Sequence, residues 1–517
     1  MDRRSTAMTK NLLAVLALTF IFTSCSQPED PSTSAYWVAK LENKQERAEA
    51  LTQLGKIGDK TALPHVQKWF EEEGNWTPEA AYALGRLGDA SIVPILKAGI
   101  SYTVGTGSDK KTRAKNRTNL NVAKAMGQLK AENGVDALIR LTTMPDLNTR
   151  EAAMRAIGKI GSKTGTDTLI KIATTETQPF LRKTAIMALG DLKDEKAIPV
   201  LIESLFQELP GTSFYYEARH SLLQIGNATI PALIETLERK NKAVEAIRLP
   251  SGVTIVEGAI EGKAAFVLGS LRAQQAENQM LAALKTYYGK YQNRASGISA
   301  SVPGAVAEIA YSLGNLGTEA SVKSLATIAN ETDANLRIAA TEALTYIGAT
   351  SSVSSLLNAT KTGNSAARRA AIEAVAMLGS GSETGALEGL AKGTDESAKE
   401  IGKIVEVNKP ALAAATECKT DAACWSGKLA DANIKVRRRA AFQLGWMDSK
   451  DNVPALVKAV EDESAAVRMA AMASLSRLGG ADAKALDAAL NRWNDKVEYK
   501  NSNQELKRLI ERSRNEG

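Results

Sequence analysis

One motif recurs along most of this chain, and it limits the possible fold more than any other feature. Its first copy, residues 46–64, reads ERAEALTQLGKIGDKTALP. The apolar residues fall on one face of a helix with about 3.6 residues per turn. Gly58 follows the last of them, and Pro64 suits the first turn of a second helix. The motif therefore predicts a helix, a glycine turn and another helix.

Later copies of this motif follow at a base period of 30 to 33 residues and share the pattern LG-x-[LI]-G, in which either glycine can be absent. A single helix pair cannot bury its apolar face, so copies must stack and share one core. The sequence thus predicts an all-α fold, an α-solenoid of about 13 helix-pair repeats forming a curved superhelix. One degenerate copy ends near Pro410. The positions aligned with Gly58 are Gly88, Lys130, Gly161, Lys193, Gly226, Arg272, Gly317, Gly348, Gly379, Asp448 and Gly479.

Several copies, among them TREAAMRAIGKIG at 149–161, resemble the HEAT-like repeats of the phycobilisome-lyase type, over about residues 33–480. The resemblance implies the fold and says little about function. It also implies that a recurring arginine, with acidic residues such as Asp146, Asp333 and Asp431 shortly before it, forms a structural ion-pair ladder between repeats. The matching arginines are Arg47, Arg150, Arg182, Arg337, Arg368, Arg437 and Arg468.

The N-terminal segment predicts export. Residues 8–25 read MTKNLLAVLALTFIFTSC, which has the charged start, apolar run and small residues of a signal peptide. Its end, with Cys25, resembles a bacterial lipoprotein lipobox, which implies that Cys25 is lipidated and, with Ser26 next, that the protein is sorted to the outer membrane. A plain secretory signal cut elsewhere is the alternative. We therefore predict a signal peptide (1–24), a lipidated tether (25–34), the repeat array (35–480) and a C-terminal helical cap and tail (481–517).

The repeat period lengthens at about residues 100–116, 240–258 and 289–301, always in the same turn of the unit. These insertions, with the short turn at 210–216, are predicted to project from one edge of the solenoid. In and beside the first insertion, residues 109–117 carry a net charge of +4 of the chain's +7. The alternation in SGVTIVEG (251–258) predicts a short strand.

Basic groups beside aromatic rings suit an acidic protein, an anionic glycan or a lipid headgroup, whereas export disfavours nucleic acid. Solvated loops with rings folded onto helix ends are the alternative interpretation. The candidate partner-binding residues are Lys110, Lys111, Arg113, Lys115, Arg117, Tyr215, Tyr216, Tyr287, Tyr288 and Tyr291.

Cys418 and Cys424 are predicted to form a disulfide, since the chain is exported and the two residues are close in sequence. A redox pair is usually closer in sequence, and a metal site would need further ligands. We therefore predict no metal site.

Catalysis is not indicated by the sequence. His65 and His220 stand in distant repeats, and neither is followed by the glutamate that iron-binding HEAT-like deoxyhypusine hydroxylases use. No cofactor motif is found. The sequence thus predicts a non-catalytic envelope scaffold or adaptor that binds a protein partner, as a bacterial outer membrane lipoprotein facing the periplasm or the cell surface. The alternative is a lyase or isomerase of the phycobilin-lyase type, acting on a ligand in the concave face.

Overall fold

A computed structural model describes residues 30–71, 77–105, 107, 109–293, 299, 301–316, 318–493, 506–507 and 509–510. The predicted signal peptide, Cys25 and most of the predicted tether lie outside these residues. No helix among the described residues is long and apolar enough to cross a bilayer. Two units can be distinguished by their internal contacts: the first comprises Met1–Thr229 and Ile247–Val253, the second Ile230–Ala246 and Thr254–Gly517.

The first unit alternates short and long helices, with one antiparallel strand pair. Its elements are α1 (Ser34–Lys40), α2 (Arg47–Ile57), α3 (Leu63–Glu71), α4 (Pro78–Leu87), α5 (Val93–Ala98), α6 (Lys110–Gln128), α7 (Val135–Leu141), α8 (Leu147–Ile160), α9 (Thr166–Thr175), α10 (Pro179–Leu192), α11 (Ile198–Ser204), β1 (Glu208–Leu209), β2 (Thr212–Ser213) and α12 (Tyr215–Ile225).

The second unit continues the same alternation. Its helices are α13 (Ile230–Leu237), α14 (Lys242–Glu245), α15 (Ala259–Ser270), α16 (Glu277–Gln292), α17 (Val302–Leu316), α18 (Val322–Ile328), α19 (Ala334–Ile347), α20 (Val353–Ala359), α21 (Ser365–Leu378), α22 (Thr384–Gly389), α23 (Glu396–Cys418), α24 (Ala422–Lys428), α25 (Ile434–Trp446), α26 (Val453–Ala459), α27 (Ala465–Leu478) and α28 (Ala483–Trp493).

The helices that end at the aligned glycine positions, here called LG helices, pack side by side in chain order. In the first unit the row is α2, α4, α6, α8, α10 and α12, and in the second it is α15, α17, α19, α21, α23, α25 and α27. The short helices cover one side of each row. This arrangement is the predicted α-solenoid, built from helix-pair repeats.

The first glycine of the motif sets how closely LG helices approach. A Cβ on Gly127 would lie 2.9 Å from the Ala156 Cα, and one on Gly314 would lie 2.4 Å from the Ala343 Cα. Atoms cannot come that close, so only glycine lets the two backbones pack at this distance. The two glycines of the motif therefore have different roles: the first allows a close approach of the helices in the repeats that have it, although other copies have Leu223, Thr345, Ala376 or Ser476 at this position.

The second glycine position ends the helix in a left-handed turn, as the alignment predicts. Gly58, Gly161 and Gly348 have φ angles of 74°, 79° and 72°. Residues other than glycine adopt the same conformation when they occupy this position. They are Lys130 (φ 48°), Lys193 (φ 50°), Arg272 (φ 53°) and Asp448 (φ 47°). Gly88 and Gly379 differ, because both have extended backbone.

Three other local features differ from the sequence prediction. Helix α23 does not end near Pro410 but continues through it to Cys418. The strand pair forms at 208–213, with Glu208 opposite Ser213, in a segment predicted to be a turn. Residues 251–258, predicted to be a short strand, form no continuous strand, but Thr254 is a β-bridge residue. It follows a tight turn in which the Gly252 N–H donates to the Leu249 carbonyl and the Leu249 N–H donates to the Val253 carbonyl. At the C-terminal end, Leu506, Leu509 and Ile510 join the apolar core of the last repeats.

Candidate functional site

The basic run of the first insertion lies in a helix, not in a loop. Helix α6 begins at Lys110, so only the residues before it extend the turn. Asp109 caps the helix by accepting hydrogen bonds from the Lys111 and Thr112 N–H groups at 3.0 Å. Hydrogen bonds from Thr112 lower the pKa of Asp109. Lys110, Lys111, Arg113 and Arg117 are exposed, and Lys115 is half-buried.

This placement of charge does not favour the helix. The N-terminal end of a helix carries a positive partial charge, so cations in the first turn are destabilising. Lys110, Lys111 and Arg113 all occupy that end of α6. Arg117, one turn further on, pairs with Glu79 of α4 at 3.2 Å. The first turn of α6 is thus more basic than the fold requires.

Other cations lie on the same face of neighbouring LG helices. On α6, Arg113, Arg117 and Lys124 follow one another at helical spacing, so they share one side. Neighbouring LG helices are packed in register. Residues at corresponding positions of α2, α4 and α8 therefore lie next to this side of α6. We call the set the basic stripe: Lys56 of α2, Arg86 of α4, Arg113, Arg117 and Lys124 of α6, and Arg155 and Lys159 of α8, all of which are exposed.

Only part of the stripe's charge is paired. Arg117 contacts Glu79, and Arg155 contacts Glu151 at 2.9 Å on its own helix. Arg86 donates to the Gly55 carbonyl at 3.4 Å. The sequence reasoning missed this stripe because it counted charge along the chain. The signal was present as a basic residue after the LG pair in three of the first four copies, at Lys56, Arg86 and Lys159.

The tyrosines at the start of α12 lie partly at the surface. Tyr216 is 69% exposed, and Tyr215 is half-buried. Their rings are 5.4 Å apart, and the Arg219 guanidinium lies 5.7 Å from each ring centroid. Phe214, just before them, is buried beneath Arg182. Of this group, Tyr216 is the residue most available to a partner.

The tyrosines of α16, in the second unit, are structural. Tyr287 and Tyr291 are 5% and 3% exposed. The Tyr287 hydroxyl donates to Glu261 at 2.8 Å, and burial raises the pKa of Tyr287 well above its ordinary value. The Tyr288 hydroxyl donates to Glu331. The structure therefore corrects the expectation that these rings form a binding surface: they fold onto neighbouring helices.

The recurring arginines mostly donate to carbonyl oxygens of the turn just before their own helix, and some also contact the following repeat. Two of them form ion pairs with the following repeat: Arg150 with Glu176, and Arg437 with Asp462 at 2.8 Å. Arg337, 3% exposed, donates instead to the carbonyls of Glu331, Ala359 and Thr362. Carbonyl acceptors also serve Arg47 (Leu41), Arg368 (Thr360) and Arg468 (Asp462 and Glu463), while Arg182 bonds only to Gln207.

The acidic residues before these arginines are helix caps rather than ion-pair partners. Asp146 accepts from the Thr149 N–H at 2.8 Å, and Asp333 accepts from the Asn335 N–H at 2.9 Å. Asp431 accepts from the Asn433 N–H and presents its own carbonyl to Arg437. The structure thus shows inter-repeat ion pairs at Arg150 and Arg437, whereas Arg47, Arg368 and Arg468 donate to carbonyl oxygens of the preceding turn.

Cys418 and Cys424 are joined by a disulfide, with their Cα atoms 5.3 Å apart. The bond links the end of α23 to α24. Glu417 lies close enough to complete a three-residue ligand set, but both sulfurs are occupied by the disulfide. The neighbouring Trp425 indole donates to the Lys419 carbonyl at 2.9 Å. Trp37, in the first repeat, donates to the Pro31 carbonyl in the same way.

The two histidines do not form a common site. His65 is exposed on α3, and His220 is half-buried on α12, several repeats away. Neither histidine therefore suggests a catalytic arrangement with the other.

Comparison with known families identifies the repeats. A family model described as HEAT repeats matches residues 112–182, 136–212, 322–403 and 427–502, which together span half of the chain. A second model, the PBS lyase HEAT-like repeat, matches residues 79–101. No curated protein sequence matches the chain.

Several solved structures align with this chain at low sequence identity and with TM-scores below 0.5. The Kap95:Nup1 complex gives a TM-score of 0.48 at 14% identity, over 92% of this chain and 70% of that chain. Yeast importin-beta (Kap95p) gives 0.45 at 12% identity, over 96% and 75%. The complex of CpcE and CpcF of phycocyanin lyase from Nostoc sp. PCC7120 gives 0.20 at 17%, over 61% and 93%. These similarities concern the fold alone.

Proposed function

We propose that this chain, which belongs to the HEAT-repeat proteins, is a non-catalytic adaptor of the bacterial cell envelope that binds an acidic protein partner along the basic stripe. The stripe is the observation that carries the proposal. Its cations come from four neighbouring LG helices, and among the residues that the structure describes only Arg117 and Arg155 of the stripe form ion pairs. A row of exposed positive charge attracts and orients an acidic partner.

The arrangement of α6 supports a binding role for its first turns. The helix dipole opposes cations at Lys110, Lys111 and Arg113, and stability alone does not account for them. Interaction sites commonly retain features that cost the fold some stability. Tyr216 adds an exposed aromatic ring in the same unit, a residue type that is frequent in protein interfaces.

An envelope location is part of the proposal and is supported by the leader sequence. A lipid anchor at Cys25 would hold the chain at a membrane, and residues 26–34 would separate the array from it. The PBS lyase HEAT-like match covers one repeat, residues 79–101. This match identifies a type of repeat, so we do not propose lyase or isomerase activity for this chain.

Charge reversal on the stripe tests the proposal. In the full chain we would substitute Arg113→Glu, Lys124→Glu and Arg155→Glu together. The control reverses Lys60, Lys163 and Lys171, which are equally exposed in the same unit but lie outside the LG helices. Partners are recovered by affinity purification from membranes and quantified by mass spectrometry. We expect the stripe variant to lose at least about 10-fold of its main partner, as expected when charge complementarity is reversed.

Two results would contradict this proposal. Equal recovery by the stripe variant and the control would show that the stripe is not the binding element. Cosedimentation with anionic phospholipid vesicles that depends on the stripe, without any stripe-dependent protein, would assign the surface to lipid headgroups instead. Circular dichroism of both variants must match the wild type, which shows that the helices are retained.

A further inference from the structure

Arg182 is a buried cation without an anion. It lies in the first turn of α10 and is 7% exposed. Its guanidinium bonds to the Gln207 side-chain oxygen and stacks at 4.6 Å on the Phe214 ring. Within the described part of the chain, Arg182 Nε has no hydrogen-bond partner. Burial lowers the pKa of Arg182, because the charged form is poorly solvated there.

The corresponding arginines of other repeats are better satisfied. Arg150 and Arg437 each meet a carboxylate 25 or 26 residues later, Glu176 and Asp462 respectively. Gln207 stands 25 residues after Arg182, at the position that supplies the carboxylate in those repeats. An amide therefore stands at Gln207 where those two repeats have a carboxylate, and it brings no negative charge to Arg182. Arg337 also has no carboxylate at this position, but it donates to three carbonyl oxygens.

Glu203, the acidic side chain next to Gln207, does not supply that charge. Glu203 is within 3.5 Å of the Gln207 amide nitrogen rather than of the arginine. Burial raises the pKa of Glu203, which disfavours its charged form. A buried guanidinium without a counter-charge is costly, and such groups are usually paired. An anion from outside the chain would remove this cost.

We propose that Arg182, Gln207 and Phe214 form a binding site for a carboxylate, and that an aspartate or glutamate side chain of a protein partner occupies it. Arg150–Glu176 and Arg437–Asp462 show in this same fold that the position accepts a carboxylate. The partner's carboxylate would enter from the side of the β1–β2 hairpin, where Gln207, Thr212 and Ser213 are half-buried. Tyr216, two residues after Phe214, is exposed. This inference depends on the proposed function in one respect: the proposed function supplies the protein partner whose carboxylate occupies the site.

Three substitutions distinguish a ligand site from a purely structural arginine. Gln207→Glu supplies the missing carboxylate from within the chain, so it should raise Tm and abolish any response to added carboxylate. Arg182→Met removes the charge and keeps the apolar contact with Phe214, so it should leave Tm unchanged or higher and also abolish the response. Arg337→Met is the control: this arginine is equally buried but already bonded to carbonyl oxygens, so its loss should lower Tm and leave the response intact.

The probe is sodium acetate, compared with sodium chloride at equal pH and ionic strength, on the full chain. Thermal unfolding and hydrogen exchange of peptides from residues 179–214 are both measured. We expect acetate, but not chloride, to raise Tm saturably and to slow exchange in this segment in the wild type and in Arg337→Met alone. A response in all variants, or none in the wild type, would overturn the proposal. A response to phosphate but not to acetate would overturn the assignment to a carboxylate.

Failure of this site and failure of the proposed function are separable. An acetate response with no stripe-dependent partner would leave the site standing and remove the adaptor function. A stripe-dependent partner with no acetate response at Arg182 would support the adaptor function and rule out the carboxylate site.

Discussion

Gly314 shows what the first glycine of the motif does, in the repeats that have it, at the scale of single residues. Its missing side chain is what allows α17 and α19 to meet backbone to backbone. The neighbouring helix presents Ala343, a small residue, at the contact point. Gly190 faces Ser221 and Gly445 faces Ser474 in the same manner. At these contacts, a glycine that faces a small residue therefore sets the distance between two neighbouring LG helices.

Substituting this glycine should destabilise the second unit. Gly314→Ala places a Cβ 2.4 Å from the Ala343 Cα, which forces the helices apart and should cost about 1–3 kcal/mol of unfolding free energy. Gly304→Ala, on the same helix, meets nothing within 4 Å and should be neutral or stabilising by up to about 1 kcal/mol. Urea unfolding of both variants measures the difference. Equal destabilisation would mean that the contact is not the reason for the glycine.

Glu176 should make part of the stability depend on pH. Burial acts to raise its pKa, but hydrogen bonds from the Gln178 N–H and from Arg150 hold the pKa below the ordinary value of 4.5. Because the folded state binds the proton less tightly, this contribution is present above about pH 4.5 and is lost as the pH falls through the folded pKa.

The variant Glu176→Gln tests this. At pH 7 it should lose about 1–2 kcal/mol of unfolding free energy, as for a hydrogen bond to a charged group. The difference from wild type should shrink as the pH falls below 4.5. Asp167→Asn, which breaks an exposed pair with Lys196, is the control and should change little. Urea midpoints between pH 7 and pH 3.5 provide the measurement. A pH-independent loss at Glu176 would contradict the account.

Sequence reasoning succeeded at some residues and failed at others for physical reasons. Aligning the repeats placed Lys130 and Arg272 in left-handed turns, because backbone shape follows position in a repeat. It could not find the partners of Arg337, because a carbonyl oxygen has no sequence signature. It placed Tyr287 at a surface, because its partner, Glu261, lies 26 residues away in another helix.

Among the elements, the C-terminal end of α21 is unusual. Side chains of α25, the second LG helix after α21, cap it. The Arg439 guanidinium, 2% exposed, donates to the Ala376 carbonyl at 2.6 Å and to the Ala411 carbonyl at 3.0 Å. The Gln443 side chain donates to the Met377 carbonyl at 3.2 Å. These bonds explain why Gly379 is extended rather than left-handed: the carbonyl groups at this helix end are satisfied by α25.

Removing Arg439 should be costly. Arg439→Leu leaves buried carbonyl groups without donors, and we expect a loss of about 3 kcal/mol of unfolding free energy. Burial lowers the pKa of Arg439 to about 10, so the loss should be similar from pH 6 to pH 8. Arg438→Leu is the matched control, since Arg438 makes a looser contact with Glu373 at 3.6 Å and should cost less than about 1 kcal/mol. Urea unfolding compares the two, and equal losses would contradict a capping role.

The disulfide should stabilise the junction between α23 and α24. A double Cys418→Ser, Cys424→Ser variant opens a short loop and should lose about 2 kcal/mol by loop-entropy reasoning. The effect should be local. Hydrogen exchange should become faster in residues 412–428 and stay unchanged in α15 and α17. Faster exchange throughout the unit would instead indicate that the bond supports the whole array.

At the scale of the whole molecule, the helical repeats and the all-α class were predictable from the sequence. The same pattern of apolar residues and glycines recurs every 30 to 33 residues, and each copy predicts the same helix packing. The basic stripe was not predictable from local charge alone. Arg86, Lys124 and Arg155 are far apart in sequence, and they become neighbours only when LG helices stack in register. Residues that are neighbours on the surface of a solenoid come from different repeats, so such a surface is found by comparing equivalent positions of successive repeats.

A repeat array should also tolerate being cut between units. We expect a fragment of residues 30–229 to fold alone, because each repeat contacts mainly its neighbours. Circular dichroism should show the helical content of α1 to α12 and a cooperative thermal transition. A fragment of the same length that begins inside α6 and ends inside α17 serves as the control and should melt at a lower temperature. A disordered 30–229 fragment would show that the first unit depends on later residues.

The capping of α21 by Arg439 and Gln443 has a consequence for the order in which the chain can fold as it is made. Most LG helices meet their next neighbour after about one repeat of further synthesis. The end of α21, however, needs a guanidinium that lies 60 residues beyond Gly379. Until that segment is available, the carbonyl groups of this helix end stay exposed to water. We therefore expect the array to fold repeat by repeat up to α21, to pause there, and to resume only once α25 is present.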